Sequence, residues 1–250
     1  MTMIAPNLQR VQARIASACQ AAGRSPDSVR LLAVSKTFGA DDVREAFSAG
    51  QRIFGENYVQ EGVEKITLLH DLPIEWHLVG PLQANKTRIA ASHFQWVHSV
   101  DRLRIAERLS AQRDPAAAPL CVCLQVNLDG GANKSGVAPQ DVFALARDVA
   151  ALPHLQLRGL MSIPEPTDDP AGQLAVHRQA RALFDEVGQR LRDEASPAAA
   201  TWDTLSLGMT ADLEPAIEAG STLVRVGTAI FGGRPPRGEA ATSSQAPRSA

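Results

Sequence analysis

Eight short apolar runs of strand length recur along this 250-residue chain, and each is followed by a helical pattern or a turn. No other feature constrains the fold as tightly. Strands that alternate with helical segments build βαβ units, and βαβ units build a parallel sheet. The runs are VRLLAVSK (29–36), QRIFGEN (51–57), EWHLVG (75–80), FQWVHSV (94–100), PLCVCLQVNL (119–128), LQLRGLMSI (155–163), WDTLSLG (202–208) and STLVRVG (221–227). Most are nearly continuous in apolar residues, as strands covered on both faces are. A leading amphipathic helix over 7–22, with Leu8, Val11, Ile15 and Cys19 on one face, ends at Gly23 before the first run. Eight such units in this length predict an α/β fold, a TIM (β/α)8 barrel over 1–233 with an extra N-terminal helix. An open doubly wound sheet is the alternative, and the lack of G-x-G-x-x-G after the first run disfavours it. The tail 234–250, RPPRGEAATSSQAPRSA, is rich in Pro, Ser, Ala and Gly and is expected to be disordered.

Composition removes several function classes. A net charge of −2 does not suit a general nucleic-acid binder, which needs a basic excess to neutralise phosphates. No apolar run approaches the ~18 residues of a membrane span, and the N-terminus lacks the charged-then-apolar pattern of a secretion signal. Three cysteines are too few and too scattered for a disulfide framework. A cytoplasmic protein is the expectation. Only four of the 25 basic residues are lysines: Lys36, Lys65, Lys86 and Lys134. Genome composition accounts for such a bias, but a retained lysine also merits inspection as a nucleophile, because guanidinium is a poor one.

In this fold the chemistry gathers at the C-terminal ends of the strands. The ends read Ser35-Lys36-Thr37, Gly55-Glu56-Asn57-Tyr58, Gly80-Pro81-Leu82-Gln83, Asn127, Met161-Ser162-Ile163, Ser206-Leu207-Gly208-Met209-Thr210 and Arg225-Val226-Gly227-Thr228. Three of the four lysines, all but Lys65, fall at this mouth. Phosphate in such barrels is often held by the loops after strands 7 and 8. There Gly208 and Gly227 would let it approach the backbone, Ser206 and Thr228 offer hydroxyls, and Thr210 is a candidate N-cap. The plainer alternative is that the glycines make tight turns and Thr210 only caps a helix. A lysine in a partly apolar mouth loses hydration, which favours the neutral amine that attacks aldehydes. A phosphate site on the wall opposite Lys36 then suggests a phosphorylated aldehyde. Pyridoxal 5'-phosphate fits, with Arg225 available for its ring nitrogen.

At these residues the chain resembles the pyridoxal phosphate homeostasis proteins, single-domain barrels related to the N-terminal barrel of alanine racemase. The likeness rests on AVSKT (33–37), FGENYVQEGVEKI (54–66), WHLVGPLQANK (76–86), HSVDRLRIAERL (98–109), NKSG (133–136), RGLMSIP (158–164) and LSLGMTADLEPAIEAGSTLVRVGTAIFG (205–232). It implies that Lys36 carries pyridoxal phosphate as a Schiff base and that Asn57 contacts it. It further implies that Ser206, Gly227 and Thr228 hold the phosphate with Gly208 and Met209 nearby, and that Arg225 faces the ring nitrogen. Lys134 matches a second lysine of the mouth that handles the cofactor, although the preceding DGGAN is richer in glycine than the usual loop. Met161 is implied to flank the cofactor together with Met209.

A cation beside the ring nitrogen makes the ring a weak electron sink, and the lone tyrosine, Tyr58, is not placed as an opposite-face base. The expected role is therefore vitamin B6 homeostasis: holding and delivering pyridoxal phosphate, as a monomer or weak dimer, with apoenzymes as transient partners and without substantial turnover. A racemase-like enzyme and a cofactor-free scaffold remain as alternatives. GGANKSG (130–136) lacks the glycine that a Walker loop places before its lysine, and Cys121 and Cys123 read as core. His77 and His98, lying on strands, read as structural.

Overall fold

The computed structural model describes residues 3–129 and 135–233, and within them the eight runs form one closed parallel barrel in sequence order. The strands are β1 (Arg30–Val34), β2 (Ile53–Glu56), β3 (Glu75–Leu78), β4 (Trp96–Val100), β5 (Leu120–Val126), β6 (Leu155–Ser162), β7 (Thr204–Ser206) and β8 (Leu223–Val226). The barrel closes where β1 pairs with β8, Leu32 facing Arg225 in register. Lys134 and the tail 234–250 lie outside the described residues.

The helices are α1 (Ile4–Ala21), α2 (Ala40–Ser48), α3 (Val59–Leu68), α4 (Thr87–His93), α5 (Leu103–Gln112), α6 (Val142–Ala150), α7 (Pro170–Asp193), α8 (Leu213–Glu218) and the single turn α9 (Thr228–Phe231). Helix α1 buries Leu8, Val11, Ile15 and Cys19, the stripe its spacing predicts, and packs against α2, α8 and α9. Because α9 is too short to cover the β8–β1 seam, α1 fills the last place in the helical ring.

Period-two alternation divides the strand residues into two cores. Outward residues such as Ala33, Phe54, Trp76, Val97 and Leu205 pack against the helices in one continuous apolar cluster. Inside the barrel, Leu32, Val34, Val79 and Leu223 form one small cluster, and Trp96, Cys123 and Met161 another. Cys123 therefore lies in the core, as the spacing predicts, and the half-buried Cys121 packs against it. The N-terminal rim is closed by Trp96, with the guanidinium groups of Arg30 and Arg158 5.2 and 4.7 Å from its ring centre.

Two local readings change. Strand β7 is shorter than the run 202–208 because Gly208 turns the chain away at φ +85°, where a Cβ would also sit 2.5 Å from that of Ala216. The N-cap of α8 is Asp212 and not Thr210. The Asp212 carboxylate accepts the Met209 N–H at 2.7 Å, so the loop between them folds back on itself.

Candidate functional site

The C-terminal end of the barrel opens into a cavity of about 280 Å³ lined by Val34, Lys36, Phe38, Asn57, Val79, Ile163, Met209, Thr210, Ala211, Arg225, Gly227, Thr228 and Gly232. Of the residues singled out in the sequence, Lys36, Asn57, Met209, Arg225, Gly227 and Thr228 meet in this one space. Barrel closure places Lys36 beside the β8 loop and not on the wall opposite it. The end of β1 and that loop lie so close that a Cβ on Gly227 would sit 2.9 Å from the Val34 carbonyl oxygen. Met161 is fully buried lower in the barrel and does not line the cavity.

Lys36 faces inward because Val34 does, so its neighbours Ser35 and Thr37 face the helices. There they meet a buried cluster. Lys65, on α3, donates to the Ser35 carbonyl at 2.6 Å, to Glu56 Oε1 at 2.8 Å and to Glu61 Oε1 at 2.8 Å. The Ser35 hydroxyl donates to Glu56 Oε1 at 2.6 Å, and Glu61 accepts the Thr37 N–H. Thr37 stands at φ 70°, a conformation that costs a β-branched residue roughly 1–3 kcal/mol and persists only where the surroundings impose it. Burial pushes the Glu56 carboxyl above its usual range, although Lys65 and Ser35 pull the other way. Sequence reasoning missed this clamp. Its only signal was Lys65 itself, one of few lysines and four residues after Glu61.

Arg225 sits below the cavity at 4% exposure. It donates from Nη1 to the Ser206 carbonyl and hydroxyl oxygens at 2.6 and 2.7 Å, and from Nη2 to the Ser162 carbonyl at 2.8 Å. Burial lowers its pKa to about 10, so it stays charged at neutral pH. Ser206, expected at the phosphate, is fully buried and does not line the cavity; its hydroxyl is engaged by Arg225 and by His98, 3.2 Å away. Gly208 also stays out of the lining and instead shapes the loop that presents Met209 and Thr210.

Two further supports converge on the loops after β7 and β8. Asp212 pairs with the buried His177 of α7 at 2.9 Å. Burial pushes the Asp212 carboxyl up, but His177 and the Met209 amide outweigh it and leave the group below the usual range. From α1, Arg14 donates to the Thr210 carbonyl at 3.1 Å and Asn7 to the Ile230 carbonyl at 2.8 Å.

Residues 7–235 match the alanine racemase N-terminal domain family. The chain is also 56% identical over 234 residues to a pyridoxal phosphate homeostasis protein of Pseudomonas aeruginosa, covering 94% of this chain and 97% of the relative. The chain belongs to the pyridoxal phosphate homeostasis protein family. Another member, from Escherichia coli K12, is 49% identical over 237 residues, 94% of this chain and 98% of its own. Among solved structures, PipY of Synechococcus elongatus with pyridoxal phosphate bound aligns at a TM-score of 0.75 and 41% identity, over 87% of this chain and all of that one. An alanine racemase of Clostridium difficile shares the fold, with a TM-score of 0.70 at 13% identity. The match spans the closed eight-stranded barrel, whose C-terminal end carries the cavity described above. No helix among the described residues is long and apolar enough to cross a membrane.

Proposed function

We propose that this chain binds pyridoxal 5'-phosphate, holds it covalently through Lys36 and serves in its homeostasis and delivery to apoenzymes without substantial turnover. The observation that carries the reading is the convergence of Lys36, Arg225 and the Gly227-Thr228 turn on one small cavity.

The donor set fits the group. The Lys36 amine suits an aldehyde, with which it forms a C=N bond and releases one water. Arg225, positive and unable to accept a proton, suits an unprotonated ring nitrogen. Gly227 and Thr228 bring a close backbone approach, a hydroxyl and first-turn N–H groups toward the phosphate. Thr210 adds a second hydroxyl, while Asn57, Val79 and Ile163 provide polar and apolar walls. No carboxylate is present among the described lining residues to repel an anion. The bound cofactor supplies an electrophilic carbon and a ring able to take up electron density.

Two observations support holding over turnover. Arg225 opposes protonation of the ring nitrogen and so weakens the ring as an electron sink. Apart from Lys36, the described lining residues include no carboxylate, histidine, cysteine or tyrosine to move a proton on the opposite face; Tyr58 is exposed at the start of α3. The PipY structure with pyridoxal phosphate supports the ligand.

The test is an absorbance spectrum of the purified protein with added pyridoxal phosphate, before and after borohydride, for wild type and Lys36→Ala. A visible band that reduction fixes onto the Lys36 peptide, and that Lys36→Ala loses, is expected. A wild type that stays colourless overturns the reading. α-Proton exchange with any amino acid would overturn the statement about turnover alone.

A further inference from the structure

Below the cavity a line of polar side chains runs through the barrel interior. Arg225 Nη1 lies 2.7 Å from Ser206 Oγ, Ser206 Oγ 3.2 Å from His98 Nδ1, His98 Nε2 2.8 Å from His77 Nδ1, and His77 Nε2 2.7 Å from Glu75 Oε1. Ser206, His98 and His77 are wholly buried, whereas Glu75 reaches the open N-terminal rim beside Arg30. The line spans the barrel from rim to cavity through β3, β4, β7 and β8.

The chemistry of the two ends sets its direction. A guanidinium only donates and a carboxylate only accepts. Ser206 Oγ accepts from Arg225, which directs its own O–H to His98 Nδ1. His98 must then carry its proton on Nε2 and donate to His77 Nδ1, and His77 must carry its proton on Nε2 and donate to Glu75. This assignment satisfies every group and leaves both rings neutral. The surroundings agree: burial lowers His77 to about 4 and His98 well below its usual value. Arg30 and Arg158 near the rim act in the same sense on His77, as Arg225 does on His98, while Glu75 opposes them. Trp96 stacks on His77 at 4.9 Å and 7°, fixing the ring plane.

We propose that Glu75, His77, His98 and Ser206 form a one-way hydrogen-bond relay that orients the Arg225 guanidinium toward the cavity. The four are positioning residues. Glu75 ends the relay without touching Arg225, whose own acceptors here are two carbonyls and a hydroxyl; the Asp212 carboxylate acts on Arg225 only at a distance and is itself engaged by His177 and the Met209 amide. Ser206 then serves Arg225 and not the phosphate. The effect on the cofactor rests on the proposed function; the relay geometry does not.

Two measurements test this. In cofactor-free protein labelled with 15N-histidine, long-range proton–nitrogen correlation spectra at neutral pH should show His77 and His98 both neutral with the proton on Nε2, assigned through single His→Gln variants. A charged ring, or a proton on Nδ1 of either, overturns the relay. In protein loaded with pyridoxal phosphate, His98→Leu should shift the visible band and its pH midpoint and weaken retention about tenfold, the worth of one hydrogen bond to a charged group. His98→Gln, whose amide can accept from Ser206 and donate to His77, should restore most of both. If His98→Leu leaves band, midpoint and retention at wild-type values while Lys36→Ala abolishes the band, the relay is wrong and the cofactor reading stands. If the wild type takes up no pyridoxal phosphate, the cofactor reading fails and the tautomer pattern alone decides the relay.

Discussion

Two of the supports around the cavity use opposite means. Behind Lys36, outside the barrel wall, the support is ionic: Lys65 and Glu56 pair at 2.8 Å with side-chain exposures of 6% and 0%. Beneath Arg225, inside the barrel, it is a line of neutral rings whose carboxylate lies at the far rim. The ionic clamp grips backbone, through the Ser35 carbonyl and the Thr37 amide, and leaves the Lys36 amine to the cavity. The relay grips a side chain whose charge is needed, and a carboxylate in direct contact would offset that charge. Behind Lys36 the buried charge stands where a strand screens it from the site; against Arg225 itself only carbonyl and hydroxyl oxygens accept.

Breaking the ionic support should have the largest effect. Lys65→Met strands the Glu56 carboxylate, whose Oε2 already lacks a hydrogen-bond partner among the described residues. Removing one partner of a buried pair typically costs about 3–5 kcal/mol, whereas removing both is often close to neutral. Lys65→Met should lower unfolding stability in urea by an amount in that range and loosen Lys36, reducing cofactor uptake. Adding Glu56→Gln should return most of the stability. A single-variant loss below about 1 kcal/mol would show that the clamp is not a structural necessity.

The two supports also answer pH with opposite sign. His77 and His98 have folded pKa values below the ordinary 6.5, so on unfolding in acid they take up protons. Their contribution is complete above pH 6.5 and is lost as pH falls toward about 4 for His77, at about 1.4 kcal/mol per pH unit for each ring. Glu56 has a folded pKa above 4.5, so its contribution is complete below 4.5 and is lost as pH rises through the folded value. Urea unfolding followed between pH 4 and 7 should show stability rising with pH, because two rings outweigh one carboxyl. The Lys65→Met, Glu56→Gln protein should steepen that rise, and His77→Gln with His98→Gln should flatten or reverse it. A double-histidine variant that keeps the wild-type slope would mean the rings are not neutral in the folded state.

How far the sequence discloses these regions differs in the same way. The barrel is legible because βα alternation is local, and Lys36, Arg225, Gly227 and Thr228 are legible as the lining of one cavity because the fold rule points to strand ends. The supports depend on pairings that only closure creates. His98 and Ser206 are 108 positions apart, and their strands read simply as apolar runs with scattered polar residues. A hydroxyl next to a glycine-rich loop suggests a phosphate ligand, and its contacts with Arg225 and His98 are not visible in the sequence. Likewise, strands 1 and 8 are farthest apart in sequence yet adjacent in the barrel, which is why Lys36 lies beside the β8 loop. Thr210 is not the N-cap because the loop runs on to Asp212 before α8 begins at Leu213.

The smallest expected effect concerns α1, whose polar reach its amphipathic pattern did not disclose. Arg14 makes a two-point ion pair with Glu214 at 2.9 Å and bonds the Thr210 carbonyl, while Asn7 holds Ile230. Arg14 and Glu214 are 38% and 50% exposed, so the ion pair contributes no more than about 1 kcal/mol and is screened by salt. The Thr210 loop is held independently by Met209, Asp212 and His177. Arg14→Ala alone should therefore weaken cofactor retention by less than about threefold, with the difference shrinking at high salt. Asn7→Ala should act on the α9 side by a similar amount. If α1 is a shared support for both loops, the double variant will lose more than the product of the two single effects, because freeing either loop alone leaves the helix seated by the other. A strictly multiplicative result would reduce α1 to an apolar cover over the β8–β1 seam, and the cavity would then rest on the ionic clamp, the relay and the Asp212–His177 pair alone.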